Sequence, residues 1–240
     1  MRHFGTGSGG RRGDRGAALL AALVVMAIVS AMGLGLVLTT GLEPLAAANY
    51  EANRSVRLAA EAGVAVAVHE LAGLVDWNLV LAGRVGSAAL EGGDIDVDLP
   101  DGSRAGLGEL TARATCGRPA ACSDSERSAF AAARPWGPNN PQWKVFGHGR
   151  LDRLIPQGEG LPPIVVVVWV ADDPADADGD PASDSGVGPA GEWRPGGCVV
   201  AVRAEAFGPR FARRALLATV ARPGPGCGPG ARLVSLRDLS

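Results

Sequence analysis

Six carboxylates crowd into thirteen residues: Asp172-Asp173-Pro174-Ala175-Asp176-Ala177-Asp178-Gly179-Asp180, then Asp184, with no basic residue among them. Hard oxygen ligands at alternating positions of a loop suit Ca2+, and a bound cation would relieve their mutual repulsion. Asp176, Asp178 and Asp180 have the one-three-five spacing of an EF-hand, with Asp184 at nine. Pro181 stands where that loop needs glycine and Val187 where it needs a bidentate glutamate, so this is not an EF-hand. The candidate Ca2+ ligands are therefore Asp172, Asp173, Asp176, Asp178, Asp180 and Asp184, in an irregular loop. The competing reading is a solvated acidic loop.

Other residues capable of chemistry do not converge. His3, His69 and His148 are scattered, and no Ser or Thr lies in a nucleophile-elbow pattern. Catalysis needs a base, acid or nucleophile held in a constellation, and none is visible; the expectation is a non-enzyme. Gly5-Thr6-Gly7-Ser8-Gly9-Gly10 matches G-x-G-x-x-G, but a phosphate loop needs a strand before it and a helix N-terminus after it. No strand fits before Gly5. The four cysteines, Cys116, Cys122, Cys198 and Cys227, lack C-x-x-C spacing, which disfavours zinc; an even number in an exported segment implies two disulfides. Three connectivities are open, and the hairpin described below favours Cys198 with Cys227 and Cys116 with Cys122. Five tryptophans accompany one tyrosine. Trp136, Trp143 and Trp193 sit in or beside Pro/Gly-rich loops, as plugs over a small core or as contact points.

The elements that must position these residues begin with the N-terminus. Ala17 to Leu42 carries no charge, and as a helix it reaches about 39 Å against a hydrocarbon core of roughly 30 Å. Arg11, Arg12 and Arg15 precede it; Glu43 and Glu51 follow. The positive-inside bias places the N-terminus in the cytoplasm and the rest outside. An ordinary secretory signal has a shorter apolar stretch, although Ala46-Ala47-Ala48 offers a cleavage site that would leave Asn49 first. Gly33, Gly35, Gly41 and Pro44 predict a weak or kinked stretch. Val56, Ala60, Val64, Ala67, Val68 and Leu71 then recur at three- and four-residue steps, a helical stripe able to pack on a head domain.

After Trp77 the texture changes to short β-like runs between Gly/Pro turns. Strands are expected at Ile95–Leu99, Leu107–Ala114, Trp143–Gly147, Ile164–Val170, Val199–Phe207, Phe211–Ala221 and Leu233–Leu236. Ile164–Val170 is apolar on both faces, which suits a central strand covered by the helix on one side and loops on the other. Val199–Phe207 and Phe211–Ala221 read as a hairpin with Phe207 facing Phe211. Arg203 and Glu205 then share one face, and Val202 and Ala204 the other. The organisation is a basic Gly-rich leader (1–16), an N-terminal helix (17–76; 17–42 transmembrane, 43–76 amphipathic) and a β-rich head (77–240). The fold class is α+β, a long N-terminal helix packed on an antiparallel sheet. With 23 basic and 25 acidic residues the net charge is −2, giving no reason to expect nucleic-acid binding.

Arg15-Gly16-Ala17-Ala18-Leu19-Leu20-Ala21-Ala22-Leu23-Val24-Val25-Met26 resembles the start of PilX-like minor pilins, in the type IV pilin and type II secretion pseudopilin superfamily. Ala48-Asn49-Tyr50-Glu51-Ala52-Asn53-Arg54 and Leu58-Ala59-Ala60-Glu61-Ala62-Gly63 resemble that family's continuation of the helix. The resemblance covers Arg12 to Leu74. It implies cleavage after Gly16 by prepilin peptidase, with Gly13 an alternative, and methylation of the new Ala17 amine. It further implies a pilin-like head, packing against other pilins or pseudopilins, and residence in a bacterial inner membrane before passage into a surface fibre. Major pilins carry glutamate at the fifth mature position, where this chain has Ala21; that departure resembles a subunit at a fibre tip. Ca2+ sites in the heads of related pseudopilins add to the reading of the acidic loop. The alternative is a single-pass or secreted Ca2+-binding ectodomain that joins no fibre.

Overall fold

A computed structural model describes residues 13–92, 96–123, 125–127, 142–154, 161–176, 180–184, 197–224 and 228–239, without the side chains of 13–15, 36–42 and 154. The chain divides into two compact units, Met1–Ala48 and Asn49–Ser240. The described part of the first unit is helix α1, Gly13–Gly73, which also opens the second and holds Pro44 inside it. The backbone stays helical through Gly33, Gly35 and Gly41.

The second unit is α+β. After α1 come α2 (Asn78–Leu81), β1 (Asp96–Asp98), β2 (Arg104–Gly106), α3 (Leu107–Cys116), β3 (Lys144–Arg150) and α4 (Leu151–Leu154). Then follow β4 (Val165–Asp172), β5 (Val199–Phe207), a 3-10 turn Pro209–Phe211, β6 (Arg213–Ala221) and β7 (Arg232–Asp238). Strands β3-β4-β5-β6-β7 form one sheet in chain order, every pair antiparallel. The short β1 and β2 pair separately.

One face of the large sheet packs against the predicted helical stripe. Val56, Ala59, Ala60, Val64, Ala67 and Leu71 are buried with Val166, Val168, Val202, Ala204 and Leu216. Gly63 permits the close approach: a Cβ there would lie 2.7 Å from Val166 Cγ1. The opposite face carries a second cluster in which Val165, Val167, Trp169 and Phe207 meet Leu107, Leu110 and Ala114. Every residue of β4 is buried, as its two apolar faces require.

Several expectations are corrected. Leu107–Ala114 is helical, not a strand. Its buried Leu107, Leu110 and Ala114 follow helical spacing, Glu109 and Arg113 sit at the ends their charges favour, and Gly117 closes the helix at φ 74°. This helix, rather than loops, covers the second face of β4, and Trp169 Nε1 donates to Thr111 Oγ1 at 2.9 Å. The hairpin pairs Phe207 with Arg213, not Phe211. Arg210 and Phe211 adopt left-handed backbone in a longer turn. The slip is two residues, so the predicted faces survive. Ile95 lies outside the described residues, and β1 belongs to the small sheet rather than the large one. His148 is on β3 and buried.

Candidate functional site

The segment Gly16–Gly35 has mean hydropathy 2.5 and is exposed throughout. Leu19, Leu20, Leu23, Val24, Val25, Met26, Ile28 and Val29 are exposed on all sides of α1. One helix is thus long and apolar enough to cross a membrane. Gly16 and Ala17, the expected processing pair, are exposed and within the helix, and a Cβ at Gly16 would meet nothing within 4 Å. Ala21 is likewise exposed.

The acidic loop leaves the end of β4. Asp172 and Asp176 are fully buried, Asp173 is half-buried and Asp180 exposed; Asp178 lies outside the described residues. Several carboxylates close local turns. Asp172 Oδ1 accepts the Asp173 amide at 2.9 Å, Asp173 Oδ1 the Ala175 amide at 3.3 Å, and Asp180 Oδ1 the Ala182 amide at 3.0 Å. Burial raises the pKa of Asp173, against the hydrogen bond from Ala175. Among the described residues no three His, Cys, Asp or Glu side chains group closely enough to hold a metal ion. Of the six proposed Ca2+ ligands, the five described ones, Asp172, Asp173, Asp176, Asp180 and Asp184, form no such group.

Asp184 is engaged by residues far along the chain. Its amide donates to Asn78 Oδ1 at 2.6 Å, and its carboxylate lies 4.0 Å from Arg222 Nε, both side chains being almost wholly buried. Burial pushes the Asp184 pKa up to about 7; hydrogen bonds from the Cys198 and Val199 amides and the charge of Arg222 oppose this, and Asp176 adds to it. Arg222 also donates to the Leu74 and Val75 carbonyls at 3.3 and 3.0 Å and stacks 4.4 Å from the Trp77 ring centroid. These carbonyls lie just beyond the end of α1, so one guanidinium ties that end to the loop after β4. Arg222 was invisible to sequence reasoning, since it borders the Pro223-Gly224 loop and nothing local marks it as buried.

Cys116 and Cys122 form a disulfide with Cα atoms 6.3 Å apart. Cys198 is also disulfide-bonded; its expected partner Cys227 lies outside the described residues. Register places Cys198 opposite Arg222, whose amide donates to the Cys198 carbonyl. Trp143 is a buried member of the second core cluster, while Trp136 and Trp193 lie outside the described residues. His69 is exposed on α1.

Two carboxylates make structural contacts, one of them buried. Glu205, 2% exposed, pairs with Arg203 at 3.2 Å and with Arg213. Glu70 Oε1 accepts the Ala88 and Ala89 amides, both at 2.9 Å, pinning that segment to α1. A cavity of about 290 Å³ is lined by His148, Glu91, Asp96, Asp98, Arg150 and Arg153 among others. Burial lowers the His148 pKa, against the pull of Glu91. Glu91 is held by Arg153 at 2.8 Å and Asp98 by Arg104 at 2.9 Å, so these side chains neutralise one another. Compared with family models, with characterised proteins and with solved structures, the chain matches none of them.

Proposed function

We propose that this chain is a minor pilin-like structural subunit, not an enzyme, for assembly of a type IV pilus or a pseudopilus. The observation that carries the reading lies within α1. Its Gly16–Gly35 segment is apolar on every side and unburied, whereas its later stripe packs on an antiparallel sheet. An all-round apolar helix needs lipid or other helices as its surroundings. In this reading the helix first rests in the bacterial inner membrane, N-terminus cytoplasmic and head periplasmic. It then exchanges lipid contacts for the helices of other pilins or pseudopilins in a fibre reaching the cell surface. Prepilin peptidase releases it by cutting after Gly16. Ala21, in place of the glutamate of major pilins, favours a position at the tip, where no subunit above supplies an amine to pair with.

Mass spectrometry of the mature N-terminus tests the proposal. A methylated Ala17 is the expected result. A chain beginning at Asn49 identifies a secreted ectodomain, and an intact Met1 a static single-pass anchor; either outcome removes the pilin reading.

A further inference from the structure

A cavity of about 400 Å³ at the start of β6 is lined by Asn53, Arg203, Glu205, Arg213 and Arg214 among others. Strand alternation puts Arg203, Glu205 and Arg213 on one face of the sheet and Arg214 on the face that α1 covers. Pairing of β7 with β6 begins at Leu216, so no β7 residue lies opposite Arg213 or Arg214. The two faces meet around that open stretch of strand, and side chains from both line one cavity. Its volume falls in the range of small-ligand sites, about 300–1,000 Å³.

Two of the guanidinium groups are fixed in advance. Glu205, 2% exposed, accepts from Arg203 at 3.2 Å and from Arg213 Nε, one bond at each carboxylate oxygen. The Arg203 guanidinium lies 6.0 Å from the Trp169 ring centroid and that of Arg213 5.3 Å from the Phe207 centroid, and aromatic faces attract a cation. A guanidinium has five N–H donors, and Glu205 takes one from each of these two. Arg203 Nε and Arg214 Nε are buried and meet no acceptor among the described residues, although buried donors are ordinarily paired. Nor do the charges balance. Against Arg203, Arg213 and Arg214 stand Glu205 and Asp238, the latter 3.4 Å from Arg214, which leaves one positive charge over.

We propose that this cavity binds a singly charged tetrahedral oxyanion, the phosphate group of a phosphodiester or of dihydrogen phosphate. The arginines come from both faces of a strand, so their donors do not share a plane. Tetrahedral oxygens accept from both sides at once, whereas a planar carboxylate suits a single guanidinium fork. Arg213 and Arg214 grip the group at the strand edge and Arg203 supplies a further donor. Glu205 orients Arg203 and Arg213 and does not compete for the site, because both of its oxygens are already engaged. A lipid headgroup and free phosphate present the same chemistry here. The site does not rest on the pilin reading and can fail without it.

The test uses the full chain in nonionic detergent micelles. Inorganic phosphate should raise the melting temperature of the head saturably, while chloride or acetate at equal ionic strength should not. Each variant is compared with its own melting temperature in chloride. Arg214→Gln leaves Glu205 with both its partners and should weaken phosphate binding at least about tenfold, the loss of one charge-assisted contact. Arg210→Gln, on the exposed β5–β6 turn, should leave binding unchanged. Micelles doped with phosphatidylglycerol identify the source. A saturable, Arg214-dependent shift with that lipid but not with free phosphate assigns the site to a headgroup; a shift with free phosphate that the lipid neither reproduces nor displaces assigns it to soluble phosphate. No shift with either probe, a shift that survives Arg214→Gln, or an acetate shift equal to that of phosphate would each overturn the proposal.

Discussion

Two stretches of one helix obey opposite rules. In Gly16–Gly35 every residue is exposed and apolar side chains point in all directions. In Asn49–Gly73 a stripe from Ala52 to Leu71 is buried, while Arg54, Arg57 and Leu58 between its members stay exposed. Fully burying a leucine is worth about 1.5–3 kcal/mol. Leu71 realises that gain against the sheet, whereas Leu23 leaves it to whatever surrounds Gly16–Gly35. The contrast teaches that apolar content alone says little about a helix; the angular distribution of that content determines whether it stabilises a fold or demands a different solvent.

The sharpest way to break the contrast is to charge the first stretch. Ala22→Arg with Met26→Arg places two guanidinium groups near the middle of the apolar segment. At about 2.5–3.5 kcal/mol each on insertion scales, the pair should shift membrane partition by about four orders of magnitude. The protein should then leave the membrane fraction while the melting transition of the head stays in place. Retention as an integral membrane protein would show that Gly16–Gly35 is not what holds it.

Truncating the second stretch should do the reverse. Leu71 has no exposed surface, and Leu71→Ala should cost the head about 2–5 kcal/mol through lost burial and a residual cavity. Leu23→Ala, the same chemical change, should leave head stability unaltered. Denaturant unfolding followed by tryptophan emission distinguishes the two, because Trp77 and Trp169 are fully buried in the head. Equal effects would mean that the two halves are not energetically distinct.

Gly63 sharpens the comparison further. Its added Cβ would press on Val166 Cγ1 at 2.7 Å and Val168 Cγ2 at 3.1 Å, so Gly63→Ala sets helix propensity against overpacking. Alanine gains about 1 kcal/mol as a helix former, and overpacking costs about 1–3 kcal/mol. A net loss of up to about 2 kcal/mol is expected. At Gly33, where a Cβ meets nothing within 4 Å, the same change should not destabilise the head. A stabilised Gly63→Ala head would show that helix and sheet separate more readily than their packing implies.

Much of the architecture was legible because it is written in periodicity. The buried members of the α1 stripe, the doubly apolar β4 and the ends of β5 follow from spacing alone. Leu107–Ala114 reads as a strand in sequence because Leu107, Leu110 and Ala114 span only eight residues. Over that length helical and extended patterns overlap, and the deciding signals, Glu109 and Arg113 at opposite ends and Gly117 beyond, are capping signals. The hairpin register moved by two because Arg210 and Phe211 take left-handed backbone, which composition does not announce for a non-glycine pair. Asp184 was read with its neighbours as a ligand because carboxylate spacing is visible in sequence. Its contacts with Asn78 and Arg222, far along the chain, are not. Buried ion pairs depend on long-range placement, so Arg222 and the depth of Glu205 became evident only in three dimensions.

The smallest effect concerns the buried imidazole of β3. Burial holds the His148 pKa below its ordinary 6.5. As pH falls through that ordinary value the unfolded chain takes up the proton before the folded one, so stability drops on the acid side and is fully present above it. His148→Gln removes this group, and the variant's melting temperature should fall less than the parent's between pH 7 and 5. Asp184 contributes the opposite slope: its raised folded pKa favours the native state at low pH and that advantage fades as pH climbs towards about 7. That contribution is common to parent and variant, so their difference isolates the histidine. Parallel profiles would show that burial of the ring is not linked to folding, and the cavity between Glu91 and Arg150 would then have to admit water to it.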